Sequence, residues 1–171
     1  MFNEPAEPVR DRPTMPEGYG VPEGMDGLVE WNEVERRLVD AHHYWMATTR
    51  GDGRPHVVPR WGVWLDGRLY YDGSPETLHA RNVTVNPACA VHIGSGADAI
   101  ILEGTSLVSP PVDVEFGRRV AGAIGDKYGD QGYRPEPDAW SGPDAGGMRI
   151  FAAAKVLAWF DFPNDLTRFR F

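Results

Sequence analysis

The stretch Arg54 to Pro75, RPHVVPRWGVWLDGRLYYDGSP, decides the fold. Asp66-Gly67 lies inside it and Asp52-Gly53 just ahead of it, and both pairs are strong hairpin signals. The segments between them have strand composition. A half-exposed antiparallel strand alternates, with one apolar and one polar side. Here the odd positions from Val57 to Leu65 (Val57, Pro59, Trp61, Val63, Leu65) all look like core, so that side is expected to fill the interior. The even positions, His56, Val58, Arg60, Gly62 and Trp64, add a valine and a large aromatic. A second face this apolar needs a cover of its own. The cover is another layer of this chain, a second subunit, or a bound planar ligand.

Working outward, Tyr44 to Arg50 supplies the strand before this stretch, and Arg68 to Tyr71 the strand after the second turn. Three strands joined by two tight turns read as an antiparallel meander. Upstream, Trp31, Val34, Leu38 and Ala41 recur at helical spacing, so a helix is predicted over about 30–42. Downstream, Ser74 can cap, Pro75 suits a first helical position, and Asn86-Pro87 stops the element. Ala88–Ile93 and Ala99–Val108 read as strands around a GSGAD turn. The residues Val112, Phe116, Val120, Ile124 and Tyr128 place one apolar stripe on a helix that ends near Gly129. Residues 129–147 form a Gly/Pro/Asp loop, and a loop that long in a small domain is commonly functional. Arg149–Trp159 and the terminal LTRFRF complete the series. Residues 1–27 carry five of the fifteen prolines and read as an extended arm, either loose or wrapped over a neighbour. Residues 28–171 then make one domain: mainly β with flanking helices, a barrel of about six or seven antiparallel strands.

Composition narrows the function. The chain has 171 residues, 42% hydrophobic, with a net charge of −8. That charge argues against general binding to nucleic acid or to an anionic membrane, but leaves room for a local basic pocket. No apolar run reaches the ~20 residues that span a bilayer. The N-terminal sequence lacks a basic-then-hydrophobic leader, so a cytoplasmic protein is expected. Cys89 is the single cysteine, which leaves no internal disulfide, and it is expected to be a small buried hydrophobe. The five histidines have no metal-ligand spacing. GSGADA at 94–99 imitates a dinucleotide fingerprint, but a strand follows it where that site needs a helix. No serine sits in a G-x-S-x-G elbow.

Four motifs in order, WMATTRGDGRPHVVPRWGVWLDGRLYY, SPETLHARNVTVNPACAVHI, AIILEGTSLV and LTRFRF, resemble the FMN-binding split β-barrel, the pyridoxamine 5'-phosphate oxidase-like superfamily. Within it the chain looks most like the actinobacterial deazaflavin (coenzyme F-420)-dependent reductases, over about residues 30–171. The resemblance implies a homodimer with the cofactor in a groove between subunits, which would cover the second face of residues 56–64. It also implies an oxidoreductase passing a hydride from the deazaflavin to a small electron-poor organic substrate. The alternatives are an FMN-dependent oxidase or reductase and a non-catalytic carrier of a flavin-type molecule.

By the same resemblance Val58, Pro59, Arg60 and Trp61 match the ring-contacting strand, His56 is also expected to bind the cofactor, and Thr77, His79, Arg81 and Asn82 match the phosphate site at a helix start. One departure stands out: the family's lysine is replaced by His79. A neutral imidazole brings one donor and no full charge. Phosphate affinity should fall unless Arg60, Arg54 or Arg50 compensates. Bland readings compete throughout: Arg81 as a surface residue, Arg60 in an ion pair across a dimer interface, and Trp61 or Trp64 as core aromatics. Strand parity allows only one of the two tryptophans to touch a ring. Glu103 is expected to pair with an arginine across strands. Arg168 and Arg170 suit either an interface near an anionic cofactor or a charged edge strand. A proton could come from solvent or from Tyr133 in the 129–147 loop.

Overall fold

In the computed structural model, which describes residues 7–142 and 147–171, both Asp-Gly pairs reverse the chain. At the second, Asp66 and Gly67 take φ of 50° and 69°, the twist a two-residue hairpin turn requires. The first turn joins β2 (Tyr44–Thr49) to β3 (Pro55–Arg60) and the second joins β4 (Val63–Leu65) to β5 (Arg68–Tyr71). The expected meander is in fact two separate hairpins. β3 pairs with β2 from Tyr44↔Arg60 to Thr49↔Pro55, while β4 pairs only with β5. The break falls at Gly62, where an added Cβ would lie 2.8 Å from both Tyr70 O and a Leu69 methyl. Tyr128 Oη lies 2.9 Å from both Gly62 N and Gly62 O, and holds the bend.

This break corrects the expected parity of the decisive stretch. Val57 is 53% exposed and Pro59 lies on the same outer side, whereas His56, Val58 and Arg60 are half-buried on the side of Met46 and Tyr44. Beyond Gly62 both Val63 and Trp64 are buried, so one alternation does not run through the whole segment.

The remaining elements are β1 (Val9–Asp11), α1 (Trp31–Asp40), α2 (Leu78–Val85), β6 (Ala88–Gly94), β7 (Ala99–Val108), α3 (Val114–Tyr128), β8 (Arg149–Trp159) and β9 (Thr167–Arg170). Among the described residues there are nine strands in an antiparallel sheet, in the order β1-β9-β8-β7-β6-β2-β3, with β5 also on β8. Two strands beyond the expected seven come from the break at Gly62 and from the arm. β8 is the branch. Its whole length pairs with β7 on one edge, while its other edge holds β5 at Arg149–Phe151 and β9 at Lys155–Ala158. The result is a split barrel, mainly β, with three α-helices.

Two cores follow from the pattern. The barrel interior gathers Tyr44, Met46, Trp64, Leu69, Leu102, Phe151, Val156 and Phe169, closed at one end by Val34 and Leu38 of α1. A second core lies between α3 and the β4–β5 hairpin, with Val120, Ile124, Trp140, Met148 and Ile150. Asp113 caps α3 by accepting from Phe116 N at 2.8 Å. The described part of the arm folds on its own chain: β1 pairs with β9, and Asp11 receives Arg168 and Arg170 at 2.8 Å each. That contact uses the two terminal arginines as an edge clamp. Glu103 pairs with Lys155, not with an arginine, at 2.7 Å. Cys89 is partly enclosed, and burial pushes its thiol up to about 12. Positions 1–6 of the arm and 143–146 of the long loop lie outside the described residues.

Candidate functional site

Of the residues singled out in β3 and α2, His56, Arg60, Thr77 and His79 come together. Thr77 is the N-cap residue of α2, and its hydroxyl donates to Ser74 O at 2.9 Å and lies 3.4 Å from His79 Nε2. His79 is only 3% exposed. Burial, then the charges of Arg60 and Arg149, then His56, hold its imidazole down at about 4, so it is neutral at pH 7. Arg60 reaches the same place from β3, with its guanidinium 5.8 Å from the Tyr71 ring. Tyr71 in turn lies 6.4 Å from the His79 ring, and its hydroxyl, 2.5 Å from Ser106 Oγ, is pushed up to about 12 by burial.

Arg149 is the member that sequence reading missed. It opens β8, seventy residues beyond His79, and the register Tyr71↔Arg149 brings it beside the Asp72-Gly73 turn. The one local signal is an arginine set between Met148 and Ile150 in an otherwise apolar run. It is 2% exposed, and its Nη1 donates to Gly73 O at 3.2 Å and Gly147 O at 3.0 Å. Gly73 sits between the two arginines. Its φ is +147°, and a Cβ there would lie 2.8 Å from Arg60 Nη2. Arg60 also donates to Asp72 O, and the Asp72 carboxylate accepts from Tyr133 Oη. Tyr133 therefore enters the site region from the long loop, with its phenol raised by burial and by that carboxylate.

The electrostatic balance is one-sided. Among the described residues neither Arg60 nor Arg149 has a carboxylate within ion-pair distance. The Nε atoms of both are buried with no hydrogen-bond partner among the described residues. Two desolvated guanidiniums around a neutral imidazole favour an anion.

The other candidates are placed elsewhere. Arg81 is exposed on the outer side of α2. Asn82 is buried, and its Nδ2 donates to Thr48 Oγ1 at 2.9 Å, tying α2 to β2. Trp61 leaves the strand and stacks on Tyr128 of α3, 4.8 Å between rings at 14°. Trp64 lies in the barrel core, so the two tryptophans do occupy different environments. Pro59 and Val57 face outward. Across the sheet they continue into a row through the pairs Pro59↔Trp45, Trp45↔His92, His92↔Ile101 and Ile101↔Leu157. Trp45 is 43% exposed, and a groove of about 500 Å³ on this outer face is lined by Ala47, Ala90, His92, Ile101 and Trp159. No cluster of three or more His, Cys, Asp or Glu suited to a metal occurs among the described residues.

A branched antiparallel barrel of this topology defines a class, the split β-barrel fold. The chain belongs to the pyridoxamine 5'-phosphate oxidase family, whose model matches residues 31–153. Solved structures agree on the fold. The conserved hypothetical protein Rv2991 from Mycobacterium tuberculosis is 17% identical, with a TM-score of 0.62 over 81% of this chain and 89% of that one. An F420 reductase is 22% identical, with a TM-score of 0.50 over 81% and 94%. The heme storage protein HutZ from Vibrio cholerae is 17% identical, with a TM-score of 0.51 over 72% and 87%. Comparison with curated protein sequences gives no match.

Proposed function

We propose that the protein is a cytoplasmic oxidoreductase that uses deazaflavin coenzyme F-420 to reduce a small electron-poor organic substrate such as an enone or quinone. The observation that carries this reading is the pair Arg60 and Arg149 beside the start of α2, which among the described residues has no carboxylate within ion-pair distance and so suits the phosphate of a flavin-type cofactor. When bound, the reduced deazaflavin would supply the hydride. The protein's part is to hold and orient. Thr77 and the amide groups at the α2 start offer donors to an anion. Pro59, facing outward, offers an apolar contact to a planar ring, and the exposed Arg81 could reach a charged tail from outside. The outer row centred on Trp45 and Val57 is the surface for a second copy, which would complete the groove. Tyr133, already donating to Asp72, closes one side and keeps its proton at neutral pH.

FMN is the second reading, and neutral His79 favours it: a short phosphate tail asks for fewer cationic contacts than an oligoglutamate tail. The test is anaerobic turnover. Reduced F-420 and reduced FMN are each mixed with the protein and a panel of enones and quinones, and cofactor reoxidation is followed. Substrate-dependent reoxidation with F-420 supports the reductase. Reoxidation with FMN alone moves the function to the second reading. Binding without reoxidation leaves a carrier.

A further inference from the structure

We propose that His42 and His43 together chelate one late first-row divalent metal ion through their Nδ1 atoms, and that binding detaches Trp61 from His43. The inference stands apart from the flavin-type reading above.

The two histidines lie in the link between α1 and β2, exposed to solvent, with their Nδ1 atoms 3.3 Å apart. Their ring centroids are 4.8 Å apart, so the rings converge at those nitrogens. That separation exceeds the ~2.7–3.2 Å of an ordinary N–H···O hydrogen bond. It equals the bite of two imidazoles on one tetrahedral ion, because nitrogens about 2.0–2.1 Å from zinc stand about 3.3–3.4 Å from each other. The pair is also held from outside the link. The His42 carbonyl accepts from Tyr128 Oη at 2.9 Å, and the His42 ring meets the Tyr128 ring edge-on at 5.0 Å. The Gln131 side-chain amide, just past α3, lies 3.0 Å from His42 Nε2. Trp61 Nε1 donates to His43 Nε2 at 3.3 Å.

An imidazole that binds a metal ordinarily donates its other N–H to an outer partner. The Gln131 amide oxygen can accept that proton from His42. Trp61 cannot do the same for His43, since an indole nitrogen only donates. With Trp61 in place, the His43 proton sits on Nδ1, toward His42. A metal needs both Nδ1 lone pairs, so that proton must move to Nε2, where it faces the Trp61 N–H. Metal binding and the Trp61–His43 bond therefore exclude each other. Trp61 stacks on Tyr128 and lies 6.0 Å from Tyr133, which carries the effect towards the candidate site. Among the described residues no cluster of three or more His, Cys, Asp or Glu forms here, so water completes the shell. Neutral nitrogen ligands select zinc, nickel or copper over calcium or magnesium, and copper(II) should bind tightest.

The experiment titrates zinc, nickel and copper(II) chlorides into the untagged full chain by calorimetry. Wild type is compared with His42→Gln, His43→Gln and His92→Gln, the last at an exposed histidine elsewhere on the sheet. We expect one ion per chain in wild type and in His92→Gln. Affinity should be about tenfold weaker or worse in either link variant, the scale on which metal sites respond to losing even an outer partner. The Trp61 indole N–H signal in NMR, assigned by its loss in Trp61→Phe, should shift with zinc in step with the calorimetric curve. Trp61→Phe should bind zinc at least as tightly as wild type. No binding, undiminished binding in both link variants, or loss in only one of them overturns the chelate. Half an ion per chain also overturns it, since the ion would then sit between two copies. An unmoved Trp61 signal at zinc saturation overturns the exclusion of Trp61. If a link variant does not fold, the wild type decides: X-ray absorption of the zinc form should show two imidazole nitrogens at about 2.0 Å, and one or none overturns the proposal.

Discussion

Below pH 6.5 an unfolded chain protonates its histidines, whereas His79 in the folded protein stays neutral down to about 4. The unfolded state therefore binds more protons between those values, and stability must fall as pH drops through that window. The loss attributable to His79 is on the order of 2–3 kcal/mol. Carboxylates titrate nearby with the same sign, so the decisive quantity is the difference between wild type and His79→Gln. Urea midpoints from pH 7 to pH 4 should decline less steeply in the variant, and parallel declines would contradict this. Gly73 gives a second residue-scale expectation. Gly73→Ala forces a side chain into a positive-φ conformation and pushes Arg60 aside, costing about 1–3 kcal/mol. Phosphate affinity should fall with it, and an unaltered Tm together with unaltered binding would contradict the placement of Arg60.

At the scale of elements, the arm and the two halves of the decisive stretch behave differently from their sequence patterns. β1 occupies the far end of the sheet from β3 and is held by Asp11, whose carboxyl is kept below its usual range by its hydrogen bond to Arg168. We expect Asp11→Asn to cost about 1 kcal/mol, as partly exposed ion pairs do. A chain beginning at residue 13 should lose several degrees in Tm yet bind cofactor as wild type does; weakened cofactor binding would show that the arm serves the site. Most elements were legible in the sequence, because apolar periodicity and turn chemistry are local. Asp66-Gly67 fixed one hairpin, and Ala99–Val108 and Arg149–Trp159 were readable to the residue. The reading failed where tertiary pairing decides. Nothing in VPRWGVW announces that Gly62 breaks the strand, and the close approach of Tyr70 O is invisible until β4 and β5 pair. Arg149 was hidden for the same reason, since the β5–β8 register alone brings it to His79. Thr77 and His79 were singled out by the family motif alone, since the sequence reading put the cap at Ser74 whereas α2 starts at Leu78 with Thr77 as its N-cap, and Asn82 carries a tie to Thr48 that the motif could not show.

For the whole molecule, the outer row from Pro59 through Trp45, His92 and Ile101 to Leu157 leaves large apolar groups in water on one side of the sheet. Patches of this kind mark an interaction surface. A second copy there would also complete the cofactor groove, so assembly and binding should fail together. Val57→Glu places a charge on an exposed position without touching either core. It should produce a monomer with native circular dichroism and with cofactor affinity reduced at least tenfold, about 1.4 kcal/mol. A variant that remains dimeric would move the interface elsewhere. The most direct measurement is sedimentation of the purified protein with F-420 or FMN, following the cofactor's own absorbance. We expect the cofactor band to travel with a species of twice the 19.0 kDa chain mass. Cofactor left behind in the supernatant, or carried by a monomer, would contradict a flavin-type site built between two copies.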